Sequence, residues 1–275
     1  LKIKPFSIIF EDNDIIAVNK NSGIAVCADR WNYSKRRLDT LLAEVSGKRL
    51  FTVHRIDSGT SGIVVFAKNA AAHRRLSIAF ETRVVHKTYT AVVHGVPRWT
   101  ETSCDAPLVV NGDKRHRTII DRYRGKKSLT RFRLLSRAGN ISIVEAYPES
   151  GRTHQIRVHL ARLGHPIICD ALYGKDAPLF LSEIKKSWRG DRLDERPLMA
   201  RLALHALKLK LPARSGEIVI EAPYPKDMAA LVKQIEKLSG GAAQPPHLEE
   251  YHNAGNAGGN AVGSGHGRNN AFQSP

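Results

Sequence analysis

Val53 to Lys68, VHRIDSGTSGIVVFAK, falls into two halves of opposite character. Ile63 to Ala67 is an unbroken apolar run dominated by branched residues, which predicts a buried strand. The half before it is a turn of Ser, Gly and Thr that sets Arg55 and Asp57 at the mouth of that strand. Scaffolds present reactive groups at such turns, and the glycines let another chain approach closely. Taken alone, an aspartate ahead of Ser and Gly also suits a plain turn cap.

Working outward, residues 7–18, SIIFEDNDIIAV, are two apolar runs around Glu11-Asp12-Asn13-Asp14, the pattern of a hairpin. Leu38, Leu41, Leu42 and Val45 follow helical spacing, as do Ala72, Leu76, Ala79 and Phe80 in a helix that Asn69 can cap. Residues 88–94 and 141–147 add strands. Thr153 to Leu163 reads as a helix with Ile156, Leu160 and Leu163 inward, stopped by Gly164 and Pro166. Leu202–Leu211 and Glu217–Ala222 resume the sheet. A last helix carries Met228, Leu231, Val232, Ile235 and Leu238, with Asp227 before it and Gly240 after it. Residues 240–275 hold almost no branched apolar side chains, which predicts a disordered low-complexity tail. Strands in runs with interspersed helices give an α+β fold with a largely antiparallel sheet.

The chain has 275 residues, 43 Lys and Arg against 26 Asp and Glu, and a formal charge of +17. Beyond residue 239 only Arg268 stands against Glu249 and Glu250, so the excess belongs to the folded part. Such a field attracts a polyanion, most plausibly nucleic acid. Three cysteines, Cys27, Cys104 and Cys169, lie far apart and build neither a disulfide set nor a metal-ligand spacing, which points to a reducing, cytoplasmic compartment. No run approaches the roughly 20 apolar residues of a membrane span. Twelve histidines form no metal-binding motif and the glycines no phosphate loop, so neither a metal nor a nucleotide cofactor is expected.

Four stretches then occur in a telling order. His54-Arg55-Ile56-Asp57 with its turn resembles the His-Arg-Leu-Asp signature of the RluA-type family of RNA pseudouridine synthases. Asn19-Lys20-Asn21-Ser22-Gly23 resembles that family's Asn-Lys-Pro-Ser-Gly, and His86-Lys87-Thr88-Tyr89 its Lys-Thr-Tyr. Gly151 to His159, GRTHQIRVH, continues as LARLGHPIICDALYG and is close to its longest motif. The resemblance spans roughly residues 8–225. It implies a pseudouridine synthase catalytic domain over residues 1–239, with a long mixed, mainly antiparallel sheet, flanking helices and a basic cleft. It also implies an RNA-modifying isomerase without cofactor, acting as a monomer on ribosomal or transfer RNA. Many relatives carry an N-terminal domain of the S4 type, and with about seven residues before its first strand this chain is expected to lack one.

By the same resemblance, Asp57 is the nucleophile, Arg55 enters the RNA where the target base has left it, and Tyr89 stacks on the extruded uracil. Arg157 pairs with the nucleophile, and Leu204 packs near the uracil. Arg152, His154 and Gln155 fit phosphate contact or turn support equally well. From Asp113 to Arg137 the chain holds ten Lys or Arg against two acids, with Tyr123 and Phe132 interleaved. Lys114, Arg115, Arg117, Lys126 and Lys127, with Arg152, are the cations expected to meet RNA. Departures from the family pattern at Asn21, Ser58 and Gly59 remove no catalytic group, whereas Cys27 and Ala28, standing where many members have His-Pro, are expected to alter the rim of the cleft and hence substrate choice. The rival readings are a non-catalytic RNA-binding or ribosome-assembly protein on the same fold, and a nucleosidase that releases free uracil.

Overall fold

The polar tetrad turns the chain as expected: Asp12 Oδ1 accepts from the amides of Asp14 and Ile15, both at 2.7 Å. A computed structural model describes residues 4–28, 36–214 and 216–240. Within them β1 (Phe6–Glu11) and β2 (Ile15–Lys20) form the predicted hairpin. The expected tail lies, beyond Gly240, outside the described residues.

The strand that opened the sequence reading is β4 (Ser61–Ala67), every residue of which is buried. Its alternate side chains face two different layers, which is why it reads as continuous rather than alternating. Ile63, Val65 and Ala67 pack with Ala72, Leu76 and Ala79 of one helix; Val64 and Phe66 pack with Leu38 and Leu42 of another. The latter is α1 (Leu38–Ser46), preceding the short β3 (Phe51–Thr52); the former is α2 (Ala70–Glu81), whose cap Asn69 accepts from Ala72 N at 2.8 Å. Val45 departs from the expected apolar stripe. It is 67% exposed, because the inward face of α1 ends a turn earlier at Leu42.

Downstream, β5 (His86–His94), β6 (Glu101–Cys104), the small ribbon of β7 (Leu108–Val109) and β8 (Ile119–Ile120), and the long hairpin of β9 (Thr130–Ala138) and β10 (Ile141–Pro148) complete the middle of the chain. After α3 (Gln155–Arg162) and a single turn, α4 (Leu181–Ile184), come β11 (Leu204–Ala213), β12 (Gly216–Glu221) and α5 (Lys226–Leu238). The main sheet runs β1-β2-β4-β11-β5-β10-β9-β6, with β12 paired to β11 and β3 to β4. Among the described strands of this sheet β4 and β11 pair in parallel and the other pairings are antiparallel, so the sheet is mixed and the fold is α+β. At that parallel crossing Gly62 has φ +113°, and a Cβ there would lie 2.2 Å from the carbonyl oxygen of Ala206. Glycine is what lets β11 close against the turn that follows Asp57.

Met228, Leu231 and Ile235 of α5 share a core with Ile156 and Leu160 of α3 and with β5, β9 and β10. Asp227 is not the cap expected before α5. The helix begins at Lys226, two residues before the expected Met228, and Asp227 sits in its first turn as a bidentate partner of Arg201, at 2.6 and 2.7 Å. Likewise α3 begins at Gln155 rather than Thr153, because His154 occupies left-handed backbone, φ +56°.

His205 on β11 is fully buried between Ser61 Oγ, 2.9 Å from Nδ1, and the carbonyl of Ala222, 3.1 Å from Nε2. Burial lowers its pKa to about 4. The unfolded chain therefore binds the extra proton first, and stability falls as pH drops from about 6.5 towards 4. This residue contributes at most about 1.4 kcal/mol per pH unit in that window. Urea denaturation at pH 7, 5.5 and 4.5 should show a shallower acid loss for His205→Gln than for wild type; equal slopes would discount the assignment.

Candidate active site

The loop between β3 and β4 that carries Asp57 is tied down by the segment from Lys20 to Gly23. Lys20, fully buried, donates from Nζ to the carbonyls of Asn21 at 3.0 Å and Ser58 at 3.1 Å. Ser22 Oγ donates to Gly59 O at 2.7 Å, and Gly23 N to Ser58 O at 2.8 Å. Three donors thus converge on the two residues after Asp57, which ties the segment from Lys20 to Gly23 to the loop that carries Asp57. Burial lowers the Lys20 pKa to about 7, with the nearby Asp57 charge opposing.

From α3, Arg157 reaches Asp57: Nη1 lies 3.3 Å from Oδ2. The expected pair exists, yet it is the weaker of two. Arg157 donates to Asp170 through Nε at 2.8 Å and Nη2 at 2.7 Å, a bidentate bridge to a carboxylate with no exposed side-chain surface. Its guanidinium also lies over the ring of Tyr173, 5.1 Å from the centroid. The same oxygen, Asp57 Oδ2, lies 3.9 Å from His154 Nε2.

Asp57, His154 and Arg157 line one cavity of about 710 Å³. Arg55, Asp57, Tyr89, Arg152, Arg157 and Leu204 all border it, so six of the residues singled out from sequence are brought together. Asp57 is 24% exposed on its side chain, accessible at the cavity wall. Burial, and secondarily the Asp57 charge, raises the Tyr89 phenol well above the usual range, so Tyr89 is a hydroxyl and not a phenolate. Arg55 is exposed, and its Nη2 lies 3.5 Å from Thr153 Oγ1, at the limit of a hydrogen bond. Lys87 also borders the cavity, its pKa lowered by burial to about 8.

Gln155 is turn support. It accepts from Ser150 Oγ at 2.7 Å and Arg152 N at 3.1 Å, and donates to Leu129 O and Thr130 Oγ1. The basic stretch divides in the same way. Lys114, Arg115, Lys126 and Lys127 are exposed outside the cavity lining. Arg117 is a strut: Nε pairs with Asp113 at 2.6 Å and Nη1 donates to Leu172 O at 3.2 Å. Phe132 is core, 2% exposed, and cannot meet RNA, whereas Tyr123 is 98% exposed. Alternation along β9 turns Phe132 inward, a placement that charge counting does not register.

Asp170, Tyr173 and Lys87 were not singled out from sequence, although all three lie inside motifs quoted above. What was missing is the chain reversal at Gly164, φ +85°, that folds residues 167–174 back onto α3.

Comparison with known proteins agrees with this architecture. A profile of the RNA pseudouridylate synthase family matches residues 14–162. Ribosomal large subunit pseudouridine synthase D of Zymomonas mobilis is 34% identical over 242 residues, 84% of this chain and 73% of that protein. An uncharacterized RNA pseudouridine synthase of Bacillus subtilis is 35% identical over 240 residues, with the same two coverages. Among solved structures, human RNA pseudouridylate synthase domain containing 1 superposes with a TM-score of 0.65 at 26% identity, over 90% of this chain and 94% of that one. With the profile, the relatives and the shared fold in agreement, the chain belongs to the RNA pseudouridylate synthase family.

Proposed function

We propose that this RNA pseudouridine synthase uses Asp57 as nucleophile on a uridine turned out of structured ribosomal RNA. In this reading Arg157 orients the carboxylate, Tyr89 lies against the uracil, Leu204 walls the cavity, and Arg55 fills the gap left in the RNA. The observation that carries it is an accessible carboxylate, Asp57, on a cavity large enough for a nucleotide and paired there with Arg157, with a protonated Tyr89 on the same cavity wall.

The chemistry asks for little more. The C1′–N1 bond breaks, the uracil turns while held, C1′ joins C5, the C5 proton departs and N1 gains one. A carboxylate stabilises developing positive charge at an anomeric carbon, as in glycosidases, but a reaction that keeps its base needs no second carboxylate to activate water. Extruding the uridine costs a few kcal/mol of stacking, and a planar guanidinium at Arg55 can replace part of it.

The name of the Zymomonas relative supports ribosomal over transfer RNA. Lys114, Arg115, Lys126 and Lys127, exposed outside the cavity, and Arg152, on its rim, are the proposed phosphate contacts that extend it into a basic cleft. We further propose that residues 1–239 act as one catalytic domain and that the enzyme is a cytoplasmic monomer, the compartment resting on its three free cysteines.

Transcripts carrying tritium at uracil C5 test the reaction. Wild-type protein should release tritium from ribosomal transcripts, less from transfer RNA, with no free uracil. Free uracil would convert the reading to a glycosidase, and no release from any RNA would favour the binding-protein rival.

A further inference from the structure

Tyr173 lies 16 residues beyond Arg157, yet its hydroxyl is the junction of three parts of the molecule. The amide of Thr118, immediately before β8 and within the basic stretch, donates to Tyr173 Oη at 2.9 Å. Tyr173 Oη is 2.9 Å from His154 Nδ1. His154 in turn presents Nε2 to Asp57, at 3.9 Å. Arg117, next to Thr118, pins the same turn through Leu172 O.

The donors in this chain can be assigned. A backbone amide can only donate, so Tyr173 Oη accepts from Thr118 and has its own proton to give. Burial raises the Tyr173 pKa, so that proton stays on the phenol. Given to His154 Nδ1, it leaves Nδ1 as acceptor and puts the ring proton on Nε2, facing the carboxylate of Asp57. The opposite tautomer would aim a lone pair at an anion and crowd two donors on one phenol oxygen. Burial also lowers the His154 pKa, with the Asp57 charge opposing, which keeps the ring neutral. The left-handed backbone at His154, φ +56°, is sparsely populated for a residue with a side chain and persists where surrounding contacts hold it.

We propose that Tyr173 is a positioning residue for the isomerisation: its hydroxyl locks His154 in the tautomer that offers Nε2–H to Asp57, and its Thr118 contact ties that lock to the basic stretch. The inference rests on Asp57 being the nucleophile. At 3.9 Å the His154–Asp57 contact is longer than a hydrogen bond in the free protein, and it closes when substrate fills the cavity. The ring of Tyr173 has a separate task beneath Arg157, so Tyr173→Phe removes the lock and keeps the packing.

Two measurements on the full chain test this. In ¹⁵N-histidine spectra at pH 7, wild type should show His154 neutral with the proton on Nε2, and Tyr173→Phe should lose that preference. In single-turnover tritium release, Tyr173→Phe should slow the reaction by about 10- to 100-fold with RNA affinity little changed. His154→Ala should slow it equally, and the double variant no further, since both remove one interaction. A merely structural role would lower the melting temperature but leave the rate of the folded enzyme and the tautomer unmoved. Wild-type rates in Tyr173→Phe, multiplying effects in the double variant, or an Nδ1–H tautomer in wild type would each overturn the proposal. If wild type releases no tritium from any RNA, the reading of Asp57 fails with it, whereas a wrong tautomer with an active enzyme sinks this proposal alone.

Discussion

Asp57→Ala is expected to reduce tritium release by roughly 10⁴-fold or more, the scale seen when a covalent nucleophile is removed, while RNA affinity stays within a few fold. The asymmetry follows from the geometry. Asp57 is one anion near several cations, so its removal takes away a repulsion for phosphate and no attraction. The fold should tolerate the change, because Arg157 keeps its bidentate bridge to Asp170 and the loop keeps Lys20, Ser22 and Gly23 on its carbonyls. The Asp57 contact with Arg157 is partly exposed and long, a pair of the kind that contributes about 1 kcal/mol or less. Single-turnover release and filter binding on one preparation check both halves. Residual turnover within tenfold of wild type would remove Asp57 from the nucleophile's role, and an unchanged rate would remove it from the chemistry altogether. Asp57→Asn, nearly the same shape, should be as inactive, which separates the charge from the space it occupies.

How far this site was legible in the sequence depends on the distance over which each contact acts. Local signals carried well: Asn69 as the cap of α2, the turn at Glu11–Asp14, and the branched run of β4 each depend on neighbours within a few residues. Short motifs placed Asp57, Tyr89 and Arg157 on one cavity because their spacing on particular elements is what the motifs encode. Pairing partners were not legible. That β4 lies beside β11, with Ser61 opposite His205, is a long-range closure no periodicity announces. Charge counting could not distinguish Lys114, which is exposed, from Arg117, which is bound to Asp113 and Leu172. Val45 misled for a related reason: helical spacing names a face, while the length of the layer it meets decides where burial stops.

The contact hardest to foresee, Arg157 with Asp170, is expected to govern stability. Asp170 accepts from Arg157 twice and from the amides of Leu172 and Tyr173, at 2.9 and 3.2 Å. Burial alone would raise its pKa; the hydrogen bonds and charge of Arg157 prevail and hold it below the usual aspartate range. Its stabilisation is therefore complete at neutral pH and is lost as pH falls through the ordinary carboxylate range and below. Asp170→Ala removes the anion and strands a cation that is only 9% exposed, facing Asp57 alone. Breaking a buried pair in this way costs about 3–5 kcal/mol, mainly because the remaining charge is uncompensated. Arg157→Met should cost a similar amount by stranding Asp170. The double variant should then cost clearly less than the two losses added, since it buries no lone charge. Urea denaturation of the four proteins at pH 7 measures this directly. Additive losses, or a change below about 1 kcal/mol for Asp170→Ala, would mean that the pair is solvated in solution and that the neighbours of Asp57 are held by something else. Activity separates the two partners further: Asp170→Ala removes the bridge that fixes the Arg157 guanidinium, so the enzyme that remains folded should still be slow, its Asp57 carboxylate no longer facing an oriented partner.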